Sequence, residues 1–477
     1  MNKTRLACAV ASGLFSVTLS VSAVADDTIN KVTNEQHAKT ELAQRLARME
    51  QRIDSLEKEN KTLKASLEQP YISDSEPEIS ARLKAVESLA NSYRSAARTV
   101  ENLQGIETSV GFTMMAQSLS GASKQSKNDE LNYRADATVS LPAGGIGASE
   151  GFFFSHFRMG QGLGLENPEQ AFSSVNGTSF QRPGAATSDS TVLLAQAWYQ
   201  LDIPLPLGGN PDLSREHLEL NVGKIDPFMF FDQNSIADDE THGFINQSFV
   251  HNPLLDVGGD IGVDDFGFTP GIRAAWVNDA LSPAKYSVSM GVFGAGDGAS
   301  FEDSLSRPLT IVQIDTKQNV FIGLSGNYRL YYWHNANARD LNDNQQSHAG
   351  IGLSIDQKVD DYLTLYTRLG WQTQGEVKFD RAITLGADFG GSYWQRAGDA
   401  IGLSFGYLAL SDDYKKRSLD LMGFSANASE QIAEIYYRYR INSQLTVSPN
   451  VQVIRHAGGD KQASTLSAYG LRAQLNF

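Results

Sequence analysis

The last nine residues, Tyr469-Gly-Leu-Arg-Ala-Gln-Leu-Asn-Phe477, alternate apolar and polar side chains without a break. Tyr469, Leu471, Ala473, Leu475 and Phe477 share one face of an extended strand, and Gly470, Arg472, Gln474 and Asn476 share the other. A soluble sandwich strand shows the same alternation. An aromatic residue at a chain end is less expected there, because chain ends fray into water. A strand with its apolar face on lipid and its polar face on a watery lumen accounts for both observations. The pattern predicts a membrane protein that crosses by strands and escapes a hydropathy scan.

The start of the chain agrees with export. Lys3 and Arg5 precede a mostly apolar stretch over 6–21, and Ala23-Val24-Ala25 fits small-residue cleavage. Residues 1–25 therefore read as a signal peptide, with Asp26 the first mature residue. Ser12, Ser16, Thr18, Ser20 and Ser22 interrupt the stretch and argue against a membrane anchor. Cys8 is the only cysteine, so the mature chain forms no disulfide, which suits a bacterial envelope. Without Lys3 and Arg5, 38 basic residues face 55 acidic ones, a balance of -17. That excess argues against nucleic acid as a partner. Beyond the signal, no apolar run approaches the ~20 residues of a membrane helix.

Residues 26–70 have a different composition from the rest. Leu42, Leu46, Met49, Ile53, Leu56, Asn60, Leu63 and Leu67 recur at alternating spacings of four and three, the seam of a coiled coil. Arg45 with Glu50, Arg52 with Glu57 and Glu59 with Lys64 give opposite-sign flanking pairs for a parallel arrangement. The segments 45–50 and 52–57 resemble a short trimerisation signature, Arg, apolar, two free positions, apolar, Glu. The expectation is a homotrimer through this stalk; the mixed seam residues leave a dimer open, and a single helix docked on its own barrel is the alternative. Pro70 ends the helix. Residues 71–105 read as a linker and a second, weaker helical pattern that extends the stalk, packs under the barrel or plugs it.

From residue 106 to 477 alternation replaces the heptad. Residues 131–141 place Leu131, Tyr133, Ala135, Ala137, Val139 and Leu141 on one face. Residues 193–203 place Leu193, Ala195, Ala197, Tyr199, Leu201 and Ile203 on one face. Similar stretches occur near 218–223, 272–277, 286–294, 320–333, 351–355, 363–371, 383–389, 401–409, 435–441 and 447–453, punctuated by Gly, Pro, Asn and Asp. At about 20–25 residues for each strand and its connection, this region holds about 16 strands. A sheet of that size tends to close, and its lumen is then an aqueous channel. The second face is polar on strand after strand, which a soluble sandwich core does not allow. The fold class is an all-β transmembrane barrel of about 16 antiparallel strands with an N-terminal α-helical coiled-coil stalk.

The segment Gly223-Lys-Ile-Asp-Pro-Phe-Met-Phe-Phe-Asp-Gln-Asn234 resembles the GK-aromatic-DP and FD.N motif of the OprB family of carbohydrate-selective porins, with Ile225 in place of the aromatic. Phe244-Ile-Asn and Phe249-Val-His-Asn-Pro match its continuation. Further matches are Gly350-Ile-Gly-Leu-Ser-Ile-Asp-Gln357, Thr364-Leu-Tyr-Thr-Arg-Leu-Gly-Trp371 and Asp399-Ala-Ile-Gly-Leu-Ser-Phe-Gly-Tyr407. The most specific are Tyr437-Arg-Tyr-Arg-Ile441, Ser448-Pro-Asn-Val-Gln452, Ile454-Arg-His-Ala-Gly-Gly-Asp460 and the closing Gly470–Phe477 run. The resemblance covers most of 106–477, less clearly 114–190. It implies a 16-stranded barrel in the outer membrane of a Gram-negative bacterium that passes sugars by diffusion. The coiled coil departs from the plainest members, so a single working barrel is not carried over.

A pore needs weak, multiple contacts at a constriction. Arg134, Arg273, Arg329, Arg368, Arg438, Arg440 and Arg472 fall on the lumen-facing parity. Arg158 is counted with them, although the run 152–158 does not fix its face. Trp198 and Tyr366 are lumen candidates for stacking on sugar rings. Together these predict a locally basic, aromatic-lined bore, with the acidic excess on loops, turns and stalk. The alternative is that the arginines pair with wall carboxylates such as Asp136, Asp202, Glu219 and Glu434. Asp226, Asp232, Gln233 and Asn234 are constriction candidates, either on a loop folded into the bore or at a junction held by Asx turns.

No cofactor or metal site is expected. The eight histidines lack ligand spacing, and the glycine- and carboxylate-rich stretch 256–265 lacks the spacing of a calcium loop. No Ser, His and acid set stands out, so the chain is not read as an enzyme. Asn176-Gly-Thr and Asn246-Gln-Ser match a glycosylation pattern by chance in this setting. The expected function is a porin for mono- or oligosaccharides in contact with outer-membrane lipid. The alternatives are a pore selective for anions or acidic sugars, which the arginine ladder motivates, and an envelope tether whose periplasmic stalk touches peptidoglycan or another envelope protein.

Overall fold

The computed structural model describes residue 58 and residues 105–477, apart from 123–127, 166–170, 182–189, 208–213, 258–260, 262–265, 281–283 and 322. The signal, coiled-coil and second helical segments expected before residue 105 lie outside the described residues, except Lys58, which is helical and exposed. Of the 256–265 stretch, only 256, 257 and 261 are described.

Sixteen antiparallel strands close into one barrel. The first eight are β1 (Glu107–Ser120), β2 (Asp129–Pro142), β3 (Glu150–Gln161), β4 (Thr191–Leu205), β5 (Glu216–Ile225), β6 (Thr269–Asn278), β7 (Lys285–Phe293) and β8 (Leu309–Phe321). They are followed by β9 (Leu324–Arg339), β10 (Gln345–Lys358), β11 (Leu363–Gln374), β12 (Phe379–Gly390), β13 (Ala400–Leu410), β14 (Glu430–Arg440), β15 (Leu445–Arg455) and β16 (Leu466–Asn476). Every strand pairs with its sequence neighbours, and β1 closes on β16 from Gly111↔Asn476 to Ser120↔Ser467. Closure leaves no free edge, the condition for carrying strand backbone through lipid.

The side chains invert the pattern of a soluble protein. Met114, Leu131, Ile272, Leu330, Leu365, Leu403, Phe405, Ile435 and Leu471 are exposed on the outside. The alternate positions Thr113, Asn132, Arg273, Arg368, Ser404, Glu434 and Arg472 are buried on the inside. No described helix is long and apolar enough to cross a membrane. The strands do the crossing.

Two local expectations change. Residues 193–203 do not keep one face. Ser155↔Ala197, His156↔Gln196 and Phe157↔Leu194 pair across β3 and β4, which leaves Ala195 without a partner. This β-bulge flips the parity, so Val192 and Leu194 are the exposed residues below it. The stretch 320–333 is not one strand either. Gly323, at φ +77°, lies where the chain turns between Phe321 and Leu324, which pair with each other. The alternation continued across this tight hairpin and hid it.

Connections at the two ends of the barrel differ in length. Those after odd-numbered strands include 162–190, 226–268, 294–308 and 411–429; those after even-numbered strands, such as 322–323, 359–362 and 441–444, are short. In outer-membrane barrels the long set faces outside and the short set faces the periplasm. β1 begins and β16 ends at the short-connection end. Phe477 exchanges backbone hydrogen bonds with Val110 (3.1 and 2.9 Å), so the last residue is held in the wall. Its ring is 68% exposed.

Phe405 is exposed at the middle of β13. Phe405→Arg is expected to destabilise the barrel by about 2–4 kcal/mol in lipid vesicles, while Phe405→Leu stays within about 1.5 kcal/mol. Urea unfolding of the refolded variants measures the difference. Equal stabilities would remove this face from the lipid.

Candidate functional site

Two long connections enter the bore. The larger, 226–268, starts at the motif-like segment 223–234. Ile225 is fully buried, and Asp226 caps a short 3-10 turn, Pro227–Met229, by accepting from the Phe228 amide at 3.0 Å. Proline suits the first position because its missing N–H has no partner to lose. The segment then supplies its own turns. Asn234 accepts from Ile236 N (3.2 Å), Asp239 from Thr241 N (2.7 Å) and Asn252 from Leu254 N (3.1 Å). Asn246 caps the one-turn helix α1 (Gln247–Val250) by accepting from Ser248 N at 3.0 Å. Short side chains that bond two residues ahead let a chain without a ladder keep its backbone satisfied. Asx turns thus shape the segment, whose contacts are with inward-facing residues of the wall.

Asp232 is the hub of its attachment. It is fully buried at φ +55°. Its carboxylate accepts from Arg368 Nε (3.0 Å), Tyr331 Oη (2.7 Å) and the Asn252 amide (2.6 Å). Its own amide donates to Gln313 Oε1 on β8 at 2.9 Å. Arg368 also donates to the carbonyls of Ala237 (2.5 Å), Phe249 (2.9 Å) and Asp232 (2.8 Å) and to Asp238 (3.4 Å). Asn234 donates to Ser354 Oγ at 3.2 Å, and Ser354 Oγ donates to the Gln233 carbonyl at 2.9 Å.

Farther along, Arg472 donates to the carbonyls of Glu240 (2.7 Å), Gly243 (2.9 Å) and His242 (2.8 Å). Two glutamates on β14 act in the opposite sense. Glu434 accepts from the amides of Ile245 and Asn246, both at 2.9 Å. Glu430 accepts from Phe172 N (2.8 Å), Ser173 N (2.9 Å) and Gly458 N (2.8 Å), and so fixes the described residues 171–181 of the smaller connection at their start. The two inserted segments also bond to each other through Gly177 N to Ile245 O and Gln247 N to Ser174 O. Asn176 and Asn246 are both buried in these contacts, which accounts for both glycosylation-like tripeptides without a sugar chain.

The aromatic candidates have moved from lining to packing. Tyr366 is 3% exposed, and Phe244 of the loop sits against it (5.8 Å) and against Tyr436 (5.1 Å). Trp198 is also 3% exposed, beneath Phe154 (4.7 Å), Phe152 (5.7 Å) and Phe230 (5.5 Å). Neither ring presents a free face to a sugar. Phe152, Phe154 and Phe230 are the half-buried rings of this cluster. The alternation of Phe152 and Phe154 ahead of Arg158 was the signal that could have found them.

Five of the eight arginines meet a carboxylate. Arg134, Arg273, Arg368 and Arg472 are buried. Arg134 meets Asp136 (2.8 Å) and Glu240, Arg158 meets Asp136 (2.6 Å), and Arg273 meets Glu219 (2.8 Å) beneath the Phe230 ring. Arg329 meets Asp356 at 3.0 Å. Arg438 reaches the His242 carbonyl at 3.4 Å, and Arg440 is exposed at the short-connection rim. In place of the locally basic bore expected from the arginines, the structure pairs five of them with carboxylates. A guanidinium taken from water needs a partner, and the loop brings Asp238, Asp239 and Glu240 to supply carboxylates. Asp239 meets His242 at 2.8 Å, and both side chains of this contact are more exposed than those of the arginine pairs.

Removing one member of a buried pair costs roughly 3–5 kcal/mol. Asp232→Ala is therefore expected to release the loop: conductance rises and protease cuts within 226–268, while the barrel stays closed. Asp232→Ala with Arg368→Ala restores part of the loop's protection. A doubly substituted chain as sensitive as the first would show that Asp232 acts without Arg368.

A pH test addresses the same loop. His251 stacks on Phe228 (3.7 Å) and meets Asp256 at 3.1 Å. Burial works to lower its pKa, but the Asp256 hydrogen bond and charge, with Asp238 and Asp226, outweigh it and raise the value from 6.5 to about 9. The charged form thus stabilises the loop fully below the ordinary histidine range, and that contribution is lost as pH rises through about 9. Loop protection measured by limited proteolysis should fall over that interval, and His251→Asn should remove the step.

The family model described as carbohydrate-selective porin, OprB family, matches residues 158–477. A relative, Porin B of Pseudomonas aeruginosa, is 26% identical over 189 residues, which take in 32% of this chain and 42% of its own length. The high-pH structure of Pseudomonas putida OprB aligns with a TM-score of 0.64 at 20% identity over 80% of this chain and 97% of that one. Its low-pH structure aligns with a TM-score of 0.48 at 16% identity over 80% and 96%. The likeness carries the barrel fold, and the family match spans the strands from Arg158 onward together with the Asp232, Arg368, Glu434 and Arg472 anchors: the chain belongs to the OprB family of carbohydrate-selective porins, proteins of the Gram-negative outer membrane.

Proposed function

We propose that the protein is a passive channel for neutral mono- and oligosaccharides. The observation that supports it is a 16-strand bore narrowed by a tethered loop that presents carboxylates against paired arginines, with half-buried Phe152, Phe154 and Phe230 beside them. Sugars offer hydroxyls that both donate and accept, and ring faces that suit aromatic surfaces. Groups already paired bind each hydroxyl weakly, so a solute is admitted and released. No bond is made or broken, and no catalytic role is assigned.

The charge pattern disfavours the reading as an anion or acidic-sugar pore. Asp238 and Glu240 of the loop that narrows the bore pair with Arg368 and Arg134, and the Asp239 carboxylate is left open to water. An anion would meet repulsion from the loop before it met a free guanidinium. Purified protein in planar bilayers under a salt gradient should therefore give a reversal potential near zero, and proteoliposomes should swell in glucose and maltose. Strong anion preference would overturn the neutral reading. Absence of conductance would overturn the channel.

We also infer that residues 26–70 assemble the barrels into a trimer on the periplasmic side. Support comes from the heptad seam and from β1 starting at the short-connection end. Deleting 30–100 should convert trimers to monomers by solution mass, with permeability per barrel unchanged. Trimers that persist would assign assembly to the barrel wall, and a weakened envelope with intact trimers would favour the tether.

A further inference from the structure

We propose that the lipid-facing rim at the periplasmic end of the barrel holds the phosphate of an anionic glycerophospholipid from the inner leaflet. The inference goes beyond the channel reading and does not depend on what the bore carries. The rim is built where β14 ends and where the connection 391–399 leads from β12 to β13. Both lie at the short-connection end. Tyr437 and Tyr439 stand two residues apart near the end of β14, on the outward face that also carries the exposed Ile435. Aromatic rings at a barrel rim sit at the depth of lipid headgroups. Trp394 lies 6.1 Å from Tyr437, and the Arg396 guanidinium lies over the Tyr439 ring at 4.3 Å.

Arg396 is held in that place by several contacts. Its Nε donates to Asp399 at 2.6 Å, and its Nη2 donates to Asp399 at 3.3 Å and to the Arg440 carbonyl at 3.2 Å. The Asp399 side chain is 1% exposed, and it also accepts from Tyr437 Oη and from the Arg440 amide at 2.9 Å. The Arg396 side chain that it holds is 42% exposed. An ordinary surface ion pair leaves both members in water. Here a buried, well-bonded carboxylate fixes a guanidinium over a ring on the lipid side of the wall.

A second cation joins it. Arg440 Nε donates to the Asn442 carbonyl at 3.0 Å, and the side chain crosses Gly398, where an added Cβ would lie 2.5 Å from its Cδ. Two arginines thus meet one carboxylate, and this contact group carries an excess of positive charge. Asp360 of the neighbouring connection accepts from Tyr393 and from the Tyr362 amide, and it makes no ion pair with either arginine among the described residues. Guanidinium N–H groups fit phosphate oxygens, and a basic pocket at a membrane surface selects anionic headgroups. A zwitterionic headgroup would bring an ammonium beside two guanidiniums, whereas a glycerol headgroup brings none. Lipopolysaccharide phosphates belong to the opposite leaflet, at the long-connection end. The Trp394 indole N–H is buried without an acceptor among the described residues, and a lipid ester or phosphate oxygen at this depth supplies one.

The test uses the purified full-length chain, delipidated in detergent and offered dioleoyl phosphatidylglycerol or dioleoyl phosphatidylethanolamine. Bound lipid is counted by native mass spectrometry. The unmodified chain is expected to prefer the anionic lipid about tenfold, the scale of one charge-assisted contact. Arg396→Gln with Arg440→Gln should remove that preference. Arg440→Gln alone leaves the Arg396–Asp399 pair in place and should lower the preference about threefold, the scale of one exposed charge. Gel mobility before and after heating shows which variants are folded barrels, and the single variant decides if the double one does not fold. Equal binding of the two lipids by the unmodified chain overturns the proposal, and so does a preference that survives the substitutions. Displacement of the lipid by inorganic phosphate alone overturns the lipid assignment in favour of a free anion.

Discussion

Arg368 is a guanidinium with no access to water, on a strand whose other face meets lipid. Such a group is stable only if its five N–H donors find acceptors. They find them in one place: Asp232, the carbonyls of Ala237 and Phe249, and Asp238, all on the inserted loop. The dependence runs both ways. The loop has no strand partner, and its carbonyls between 232 and 249 need donors. Wall and loop therefore satisfy each other's polar groups. Arg472 repeats the logic with three carbonyls, and Glu434 inverts it with two amides. A bore wide enough to be aqueous is made narrow by these few charged side chains.

The anchors need room beside them, and the wall provides it through glycine. Gly352 faces Tyr331, Gly350 faces Trp333, Gly386 faces Tyr366 and Gly402 faces Tyr436 in direct cross-strand register. A Cβ on Gly402 would lie 2.1 Å from the Tyr436 ring, and one on Gly352 would lie 2.1 Å from Tyr331. Each ring thus lies flat over a bare stretch of its neighbouring strand. Tyr331 is thereby held where its hydroxyl reaches Asp232, and Tyr366 and Tyr436 form the seat for Phe244. The aromatic residues of the inner wall are the mould into which the loop is pressed.

This separates what was legible in the chain from what was not. Alternation is local, so the lipid face, the strand count and the fate of the last strand could be read directly. The motif at 223–234 marked the loop before its path was known. Parity also showed which arginines point inward. It could not show what waits there, because Arg368 and Asp232 are 136 residues apart and meet only when the barrel closes and the loop turns back. The bulge at Ala195 is hidden for a related reason: one extra residue in a strand leaves composition unchanged and reverses every face beyond it. The glycine and aromatic partners are equally silent until register pairs them.

The electrostatic consequence follows from the same closure. A ladder of arginines on bare strands would make a strongly positive tube. Arg134, Arg158, Arg273, Arg329 and Arg368 each meet a carboxylate, whereas Arg438, Arg440 and Arg472 reach only carbonyls and keep their charge. The field along the bore then depends on these three and on groups open to water, the Asp239 carboxylate of the loop and the partly exposed Arg158–Asp136 pair among them. Those groups sit on the loop and on the strands that face its tip. The Asp239 carboxylate bonds only within the loop, whereas Asp136 also holds Arg134, a partner of Glu240 on the loop.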